Sequence, residues 1–432
     1  MKKLLFVLFF YAGSAQCQSR LLLQNAINIA LQNSFDIQLA RNDVRYNTIF
    51  NNYGYAGGYP TILGSASDRE TVTSLNQKYS DATRDVTRKG AGANSLDGSI
   101  DASFVLYNGM RVRATKARLA QLQKQSEQRL NSQVQNSIAS VMTAYYDIVR
   151  QQSYIKTIDQ SITVSKQRLL IIETQKSVGL ANNADLYQAQ IDLNALEQSK
   201  QSQQVVITQS KTELLRQMNV KLDSAIVIED TILTDKTLPL DSVLLHLQSN
   251  ADILAAQDQI RISEQIVRET AALRYPSLNT SAGYVYGRTR NAAGFTLLNQ
   301  NYGPYIGLSL TVPIYNSGAY YKRQQRAAEI NVQSADLEAK SLSRDYEASV
   351  LKNYTAYASS LVQLEAQQTI FDTAQKLLDI VMKRFELRVN TILEVRAAQQ
   401  SFEEEGYRLV NLAYAAKAAE IELKRLGNIL SF

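Results

Sequence analysis

The 432-residue sequence has one cysteine, one histidine and five prolines, and each scarcity excludes something. With Cys17 alone, no internal disulfide can form. The single histidine, His246, stands between Leu245 and Leu247 in a helical pattern with no second His or Cys at ligand spacing, so it reads as structural and no metal is expected. No glycine-rich loop followed by Lys-Ser/Thr is present, which leaves no recognisable means of using ATP. No Ser or Asp has a discernible base, and acids such as Glu403-Glu404-Glu405 read as a solvated helix face; the sequence points to a non-enzyme with no cofactor. The net charge of +6 is spread along the chain without a basic run interleaved with aromatics, so nucleic acid is not an expected partner. Beyond the first residues no apolar run reaches the roughly 18 residues of a transmembrane helix.

The N-terminus has the form of an export signal over residues 1–17: Lys2 and Lys3, an apolar stretch from Leu4 to Phe10, then Ala12, Gly13, Ser14 and Ala15. Cleavage after Ala15 or Cys17 fits small-residue rules, whereas lipidation of Cys17 would prefer a small residue where Gln16 stands. An exported chain without a membrane helix can enter a membrane only as strands of a closed barrel.

Proline and glycine divide the rest of the chain. Pro60, Pro239, Pro276, Pro304 and Pro313 avoid the long periodic stretches, and glycine clusters around 54–109 and 283–318. Neither residue occurs between Gly109 and Gly179. A helix over 111–178 would span roughly 100 Å. Its apolar residues recur at steps of three and four through Val134, Ile138, Val141, Tyr145, Ile148, Ile155, Ile158, Ile162, Leu169 and Ile172. Such a seam, with Gln, Ser, Lys and Arg between its members, requires lengthwise packing against other helices.

In chain order, helical periodicity from Leu21 to about Gly54 leads through Tyr59-Pro60 to a strand over 60–67. A charged segment from Asp68 to Gly90 reads as an exposed loop. Strict alternation over 98–107 sets Ile100, Ala102, Phe104 and Leu106 on one face and Ser99, Asp101 and Ser103 on the other. After the long helix and Val178-Gly179-Leu180, a helix follows over 182–218.

The second half repeats the first. Leu31-Gln32, Asp36-Ile37, Ala40, Arg45 and Tyr59-Pro60 recur as Leu247-Gln248, Asp252-Ile253, Ala256, Arg261 and Tyr275-Pro276. Further on, Asp185-Leu186 recurs as Glu394-Val395, and Leu214 with Asn219 as Leu423 with Asn428. The repeats run over 18–235 and 236–432. The second has strands over 276–287 and 303–314, a long helix over 319–387 and a helix over 391–427. Its last strand presents an unbroken apolar face of Ile306, Leu308, Leu310, Val312 and Ile314, expected to face lipid, opposite Gly307, Ser309 and Thr311. Tyr59, Tyr107, Tyr275, Tyr302, Tyr305 and Tyr315 lie near strand ends, where an interfacial girdle would sit. Four strands cannot close a membrane barrel, which needs about eight or more, so two or three copies must pool them. Their helices would then form a tube.

The duplicated order, the repeated Tyr-Pro, the run Pro313-Ile314-Tyr315-Asn316-Ser317-Gly318 before a long helix, and Val178-Gly179-Leu180 followed by Asp185-Leu186 together resemble the TolC-type outer-membrane efflux proteins. The resemblance covers essentially the whole mature chain. It implies an α+β membrane protein, with long helices forming a periplasmic α-barrel and four strands per protomer in a trimeric 12-stranded β-barrel of a Gram-negative outer membrane. An equatorial region would come from about 220–245 and the C-terminal tail. The implied partners are two further copies, outer-membrane lipid, a periplasmic adaptor (membrane fusion) protein and an inner-membrane pump of RND or ABC type. The implied function is a passive exit duct for efflux or type I secretion; the competing reading is an exported coiled-coil filament or surface protein. The resemblance also places the two helix-to-helix turns, with Val178, Gly179, Leu180, Asp185, Phe385, Arg388, Asn390 and Glu394, at a periplasmic tip where the duct is gated and the adaptor docks. At the second turn Arg388 stands where the first has Gly179. Asn390 in a left-handed conformation with Thr391 as cap is the expected reversal, and Phe385 and Asn390 are expected to face Asp185.

Overall fold

The structure, a computed structural model, describes residues 19–315 and 319–430. The export segment and Asn316-Ser317-Gly318 lie outside the described residues. The first repeat runs β1 (Ser19–Arg20), α1 (Leu23–Asn33), α2 (Phe35–Phe50), β2 (Thr61–Gln77), β3 (Val86–Asn108), α3 (Arg111–Ser177) and α4 (Asn183–Gln217). After β4 (Ile226–Val227), the second runs α5 (Leu240–Leu247), α6 (Ala251–Ala272), β5 (Ser277–Asn291), β6 (Leu298–Thr311), α7 (Tyr320–Glu386) and α8 (Ile392–Leu426). The duplication extends to length: α3 and α7 have 67 residues each, α4 and α8 have 35 each.

The chain forms two compact units. One is drawn from the N-terminal segment ending at Arg41, from Gln128–Leu254 and from Leu342 onward; the other from Asn42–Glu127 and Ala255–Ser341. The first is helical and built on the seam. Ile138, Val141, Tyr145 and Ile148 of α3 are buried with Leu214 and Leu215 of α4, Ala26, Ile27 and Ala30 of α1, and Ile421 of α8. Val350 and Tyr357 of α7 pack with Leu423 and Leu426 of α8 and with Val243 and Leu247 of α5. The parallel pair of β1 with β4 and the short α5 make up the region between the repeats. Where one helix is expected from Leu21 to about Gly54, the chain breaks at Ser34 between α1 and α2. A matching break at Asn250 separates α5 from α6: its side-chain amide donates to the Leu426 carbonyl at 2.9 Å and its carbonyl accepts the Asp252 N–H.

The second unit contains a four-stranded antiparallel sheet in the order β2-β3-β5-β6. The register collects like side chains. Ile62, Ala102, Ala282 and Ile306 form one row across the strands, flanked by the rows Gly64-Ile100-Tyr284-Pro304 and Phe104-Thr280-Leu308. On the opposite face lie Ser65-Ser99-Val285-Gly303 and Leu63-Asp101-Gly283-Tyr305. Asp101 accepts hydrogen bonds from Ser99 and from Tyr305, whose ring reaches over β5. Gly283 is what permits this, since a Cβ there would lie 2.4 Å from the Ile100 carbonyl and 2.8 Å from the Tyr305 ring. Tyr305 therefore belongs to the polar face and not to a girdle.

The strands are longer than their alternation suggests. β2 continues to Gln77 and β3 begins at Val86, so the expected loop Asp68–Gly90 contracts to a tip between Lys78 and Asp85. Both faces of this extension are polar, which removes the period-two signal while leaving the ladder intact. At the tip Lys78 pairs with Asp85 at 2.8 Å, and the Arg84 guanidinium lies 4.9 Å from the Phe295 ring centroid. β5 and β6 likewise extend past the expected 276–287 and 303–314 at the hairpin end and stop at Thr311, because Pro313 has no N–H to offer a ladder. Val312 and Ile314 thus follow the strand instead of ending it. A bulge between Val105 and Tyr107 leaves Leu106 unpaired and puts Tyr107 opposite Leu278, so Leu106 does not continue the row of Phe104.

Gly283→Val is expected to lower the yield of assembled protein in membranes several-fold by overpacking the sheet, at a cost of about 1–3 kcal/mol. Gly303→Val, where a Cβ meets open space, is expected to assemble normally, as read by the heat-modifiable oligomer band. Equal yields would remove the steric role assigned to Gly283.

Candidate functional site

Two regions carry the expected functional residues: the apolar face of the sheet and the helix-to-helix turns. On the sheet, Ile306, Leu308 and Leu310 are 83%, 70% and 65% exposed, and Val312 and Ile314 are exposed beyond the strand. A regular row of large aliphatic side chains left uncovered on a hydrogen-bonded sheet is a surface that needs an apolar solvent or partner.

The turns are built by the same local rule. At the first, Gly179 has φ +77°, its N–H donates to the Lys176 carbonyl at 2.9 Å, and the Leu180 N–H donates to the Gln175 carbonyl at 2.8 Å. At the second, Arg388 has φ +62°, with Arg388 N–H to Phe385 and Val389 N–H to Arg384 at 3.0 and 2.8 Å. Both are left-handed helix ends that satisfy otherwise orphaned carbonyls. The left-handed residue is Arg388 and not the expected Asn390, because the duplicated helix lengths fix where the reversal falls, and this outweighs side-chain preference. The next helices start alike. Asn182 caps α4 by accepting the Asp185 N–H at 2.8 Å, and Thr391 caps α8 in a reciprocal box with Glu394, whose carboxylate accepts the Thr391 N–H at 2.7 Å.

The packing sorts the remaining expected residues. Phe385 is 6% exposed, in a core with Ile172, Leu186, Ala189, Leu378, Val381 and Val395. It therefore offers Asp185 nothing polar. The Asp185 carboxylate has no hydrogen bond or ion pair to Arg388 or Asn390 within the protomer among the described residues, and sits in the first turn of α4, where an acid is favourable. Val178, Leu180, Leu387 and Val389 are exposed, giving each turn two apolar side chains. His246 lies on α5 with Nδ1 2.7 Å from the Ser242 carbonyl.

One turn of helix above Ile172 the core becomes polar. Arg168, fully buried, donates to Asp192 at 2.9 Å, and Arg396 approaches the same carboxylate at 3.6 Å. Gln399 donates to the Ser161 carbonyl, to Ser165 at 2.9 Å and to Glu403 at 3.0 Å. Burial pushes the Glu403 carboxyl up against the opposing pull of Ser161, Gln399 and Arg168, and burial likewise lowers the Arg168 guanidinium. Residue-by-residue reading misses this layer, and Glu403 is not part of a freely solvated face. The signal is present all the same: from Ile158 to Ile172 the seam steps through Ser161, Ser165 and Arg168 in threes and fours.

Arg388→Gly removes the Cβ penalty of a left-handed residue and is expected to stabilise the second turn by about 1 kcal/mol. Hydrogen exchange of the amides around Val389 should slow accordingly; unchanged or faster exchange would deny the strain assigned to Arg388.

Comparison with known proteins agrees with this geometry. The profile of the family described as "Outer membrane efflux protein" matches residues 26–219 and 244–428, one block in each repeat. The chain is 23% identical over 361 residues to "Outer membrane protein TolC" of Escherichia coli, covering 80% of this chain and 71% of that protein. It is 23% identical over 425 residues to "Solvent efflux pump outer membrane protein SrpC" of Pseudomonas putida, covering 93% and 84%. Among solved structures, the outer membrane protein VceC of Vibrio cholerae superposes with a TM-score of 0.77 at 20% identity, covering 94% of this chain and 96% of that one. The Campylobacter jejuni CmeC outer membrane channel superposes with a TM-score of 0.78 at 16% identity, covering 94% and 86%. The two matched blocks coincide with the two structural repeats, and the chain belongs to the outer membrane efflux protein family.

Proposed function

We propose that the protein is the outer-membrane exit duct of a tripartite efflux or type I secretion assembly, passively conducting cargo delivered by an inner-membrane pump through a periplasmic adaptor. The observation that carries this reading is the four-stranded sheet with one exposed aliphatic face and two unpaired edge strands, β2 and β6. Unpaired ladder groups are costly in hydrocarbon, and pairing β6 of one copy with β2 of the next satisfies them in a closed ring. Three copies give a twelve-stranded barrel. The rows through Ile62, Ile100, Phe104, Ala282, Ile306, Leu308 and Leu310 then face lipid, and those through Asp101, Ser99 and Ser309 face the lumen. The stretch of β5 from Leu278 to Tyr286 has the length of a tilted transmembrane strand, about 9–11 residues. A filament subunit would have no use for this face.

The tip of the helical duct supplies gate and docking site in this reading. The two turns share one core through Leu186 and Phe385, and expose Val178, Leu180, Leu387 and Val389 for an apolar contact with the adaptor. In this reading Asp185 holds the resting duct shut by a polar contact to Arg388 or Asn390, made between copies because none is present within the protomer among the described residues.

Membrane fractionation tests the whole reading. The protein should occur in the outer-membrane fraction as a detergent-resistant trimer that forms conducting pores in planar bilayers; recovery in the sheared supernatant would favour the filament. A charge at the bilayer midplane costs about 2–4 kcal/mol on a lipid-facing strand position, so Leu308→Arg should impair assembly while Ser309→Arg assembles and changes only conduction. Equal tolerance would refute the face assignment. Asp185→Ala should raise single-channel conductance, with a smaller increase at high salt where screening already weakens the link. Wild-type conductance at low salt would leave Asp185 as a helix-start acid alone.

A further inference from the structure

The apolar face does not end at its tyrosines. Following the register outward, the row Ala66-Gly98-Tyr286-Tyr302 is succeeded by Asp68-Leu96-Arg288-Gln300 and then by Glu70-Asn94-Arg290-Leu298, all on the side that carries Ile306 and Leu308. Arg288 and Arg290 thus stand on one strand, on one face, roughly 7 Å apart, immediately beyond the aromatic edge of the apolar band. The acids of the same rows do not neutralise them. Asp68 and Glu70 lie two strands away, roughly 10 Å, and both accept from the Asn94 side-chain amide, at 2.6 and 3.0 Å. Neither arginine has a carboxylate partner among the described residues, and the Arg288 Nε is shielded from solvent without any hydrogen bond. Of the other cations of these hairpins, Lys78 is engaged with Asp85, Arg88 with the Ala292 carbonyl and Arg84 with the Phe295 ring, while Arg69 and Lys89 stand singly, outside the rows that carry Arg288 and Arg290.

We infer that Arg288 and Arg290 dock the phosphate of an outer-leaflet glycolipid whose acyl chains lie along the apolar rows of the same face. The inference rests on the proposed orientation of that face toward lipid. Guanidinium groups bind phosphate through paired N–H donors, and here the site is continuous with the lipid surface, so a single molecule satisfies both its chemistries. The tyrosines between them mark the level at which headgroup gives way to acyl chain. In the ring of three copies the site recurs three times around the barrel.

The test measures retention of lipid by the purified trimer in a neutral detergent, using native mass spectrometry. The probes are a phosphorylated glycolipid, the same glycolipid enzymatically dephosphorylated, and inorganic phosphate. The wild type is expected to retain the phosphorylated form at least roughly tenfold better than the dephosphorylated one, and Arg288→Gln/Arg290→Gln to lose that preference while holding the dephosphorylated form as the wild type does. The lysine pair, Arg288→Lys/Arg290→Lys, should keep part of it. No preference in the wild type, or an undiminished preference in the glutamine pair, would overturn the inference. Competition by inorganic phosphate at equal concentration would replace lipid docking with a free-anion site and overturn it too. If neither glycolipid form is retained by any variant, the orientation of the sheet face fails first, and this inference with it. Should the glutamine pair not assemble, Arg290→Gln alters an exposed side chain only and is judged by the same outcomes.

Discussion

The structure depends on a conflict between backbone and side chains in the sheet. The aliphatic rows centred on Ile306 and Leu308 are costly in water, and the edges of β2 and β6 are costly in hydrocarbon, where every unpaired N–H and C=O goes unsatisfied. No arrangement of one chain relieves both. Closure with other copies does, and the same closure obliges the helices to assemble side by side. Oligomerisation is therefore a condition for the fold to exist in a membrane, where an ordinary dimer interface would merely add to a stable monomer.

The duplicated halves meet this constraint with similar means and different residues. At one turn glycine supplies the left-handed residue and Asn182 the cap; at the other, Arg388 accepts a strained conformation and Thr391 with Glu394 supplies a stronger cap. The sheet shows a comparable exchange. Gly283 on β5 makes room for the Tyr305 ring, and Gly287 stands in the same relation to Asn301, whose Oδ1 would lie 2.5 Å from an added Cβ. In each row a missing side chain on the middle strand lets an outer strand reach across it.

Much of this is legible in the amino acids alone. The seam of α3 can be read because its buried side is aliphatic and its exposed side polar over most of its length, and the same contrast makes the faces of β6 clear. Legibility fails wherever that contrast vanishes. The outer part of the β2-β3 hairpin is polar on both faces, so its ladder has no side-chain signature and Asp68–Gly90 resembles a loop. Arg168 escapes notice because a buried guanidinium looks like a surface residue until its partners on α4 and α8 are known. Intrinsic preference ranks Asn390 above Arg388 for the left-handed position, although the repeat aligns Arg388 with Gly179 and the matched helix lengths put the turn there. The family resemblance puts Phe385 opposite Asp185 at the gate, whereas the neighbours of its ring make it core.

The equal lengths of the paired helices have an evolutionary corollary. In a bundle whose four members share cores at several levels, adding one residue to one helix turns everything beyond it by about 100° and lifts it by about 1.5 Å, which unseats every knob from its hole. Additions near seven residues restore phase and lengthen a helix by roughly 10 Å, whereas three or four residues are absorbed only by overwinding or unwinding the packing locally. Such an insertion must also be matched in α3, α4, α7 and α8, or the two turns would end at different heights. The span across the periplasm is therefore set by all four helix lengths together, and a change in one alone carries a packing cost that a surface loop does not.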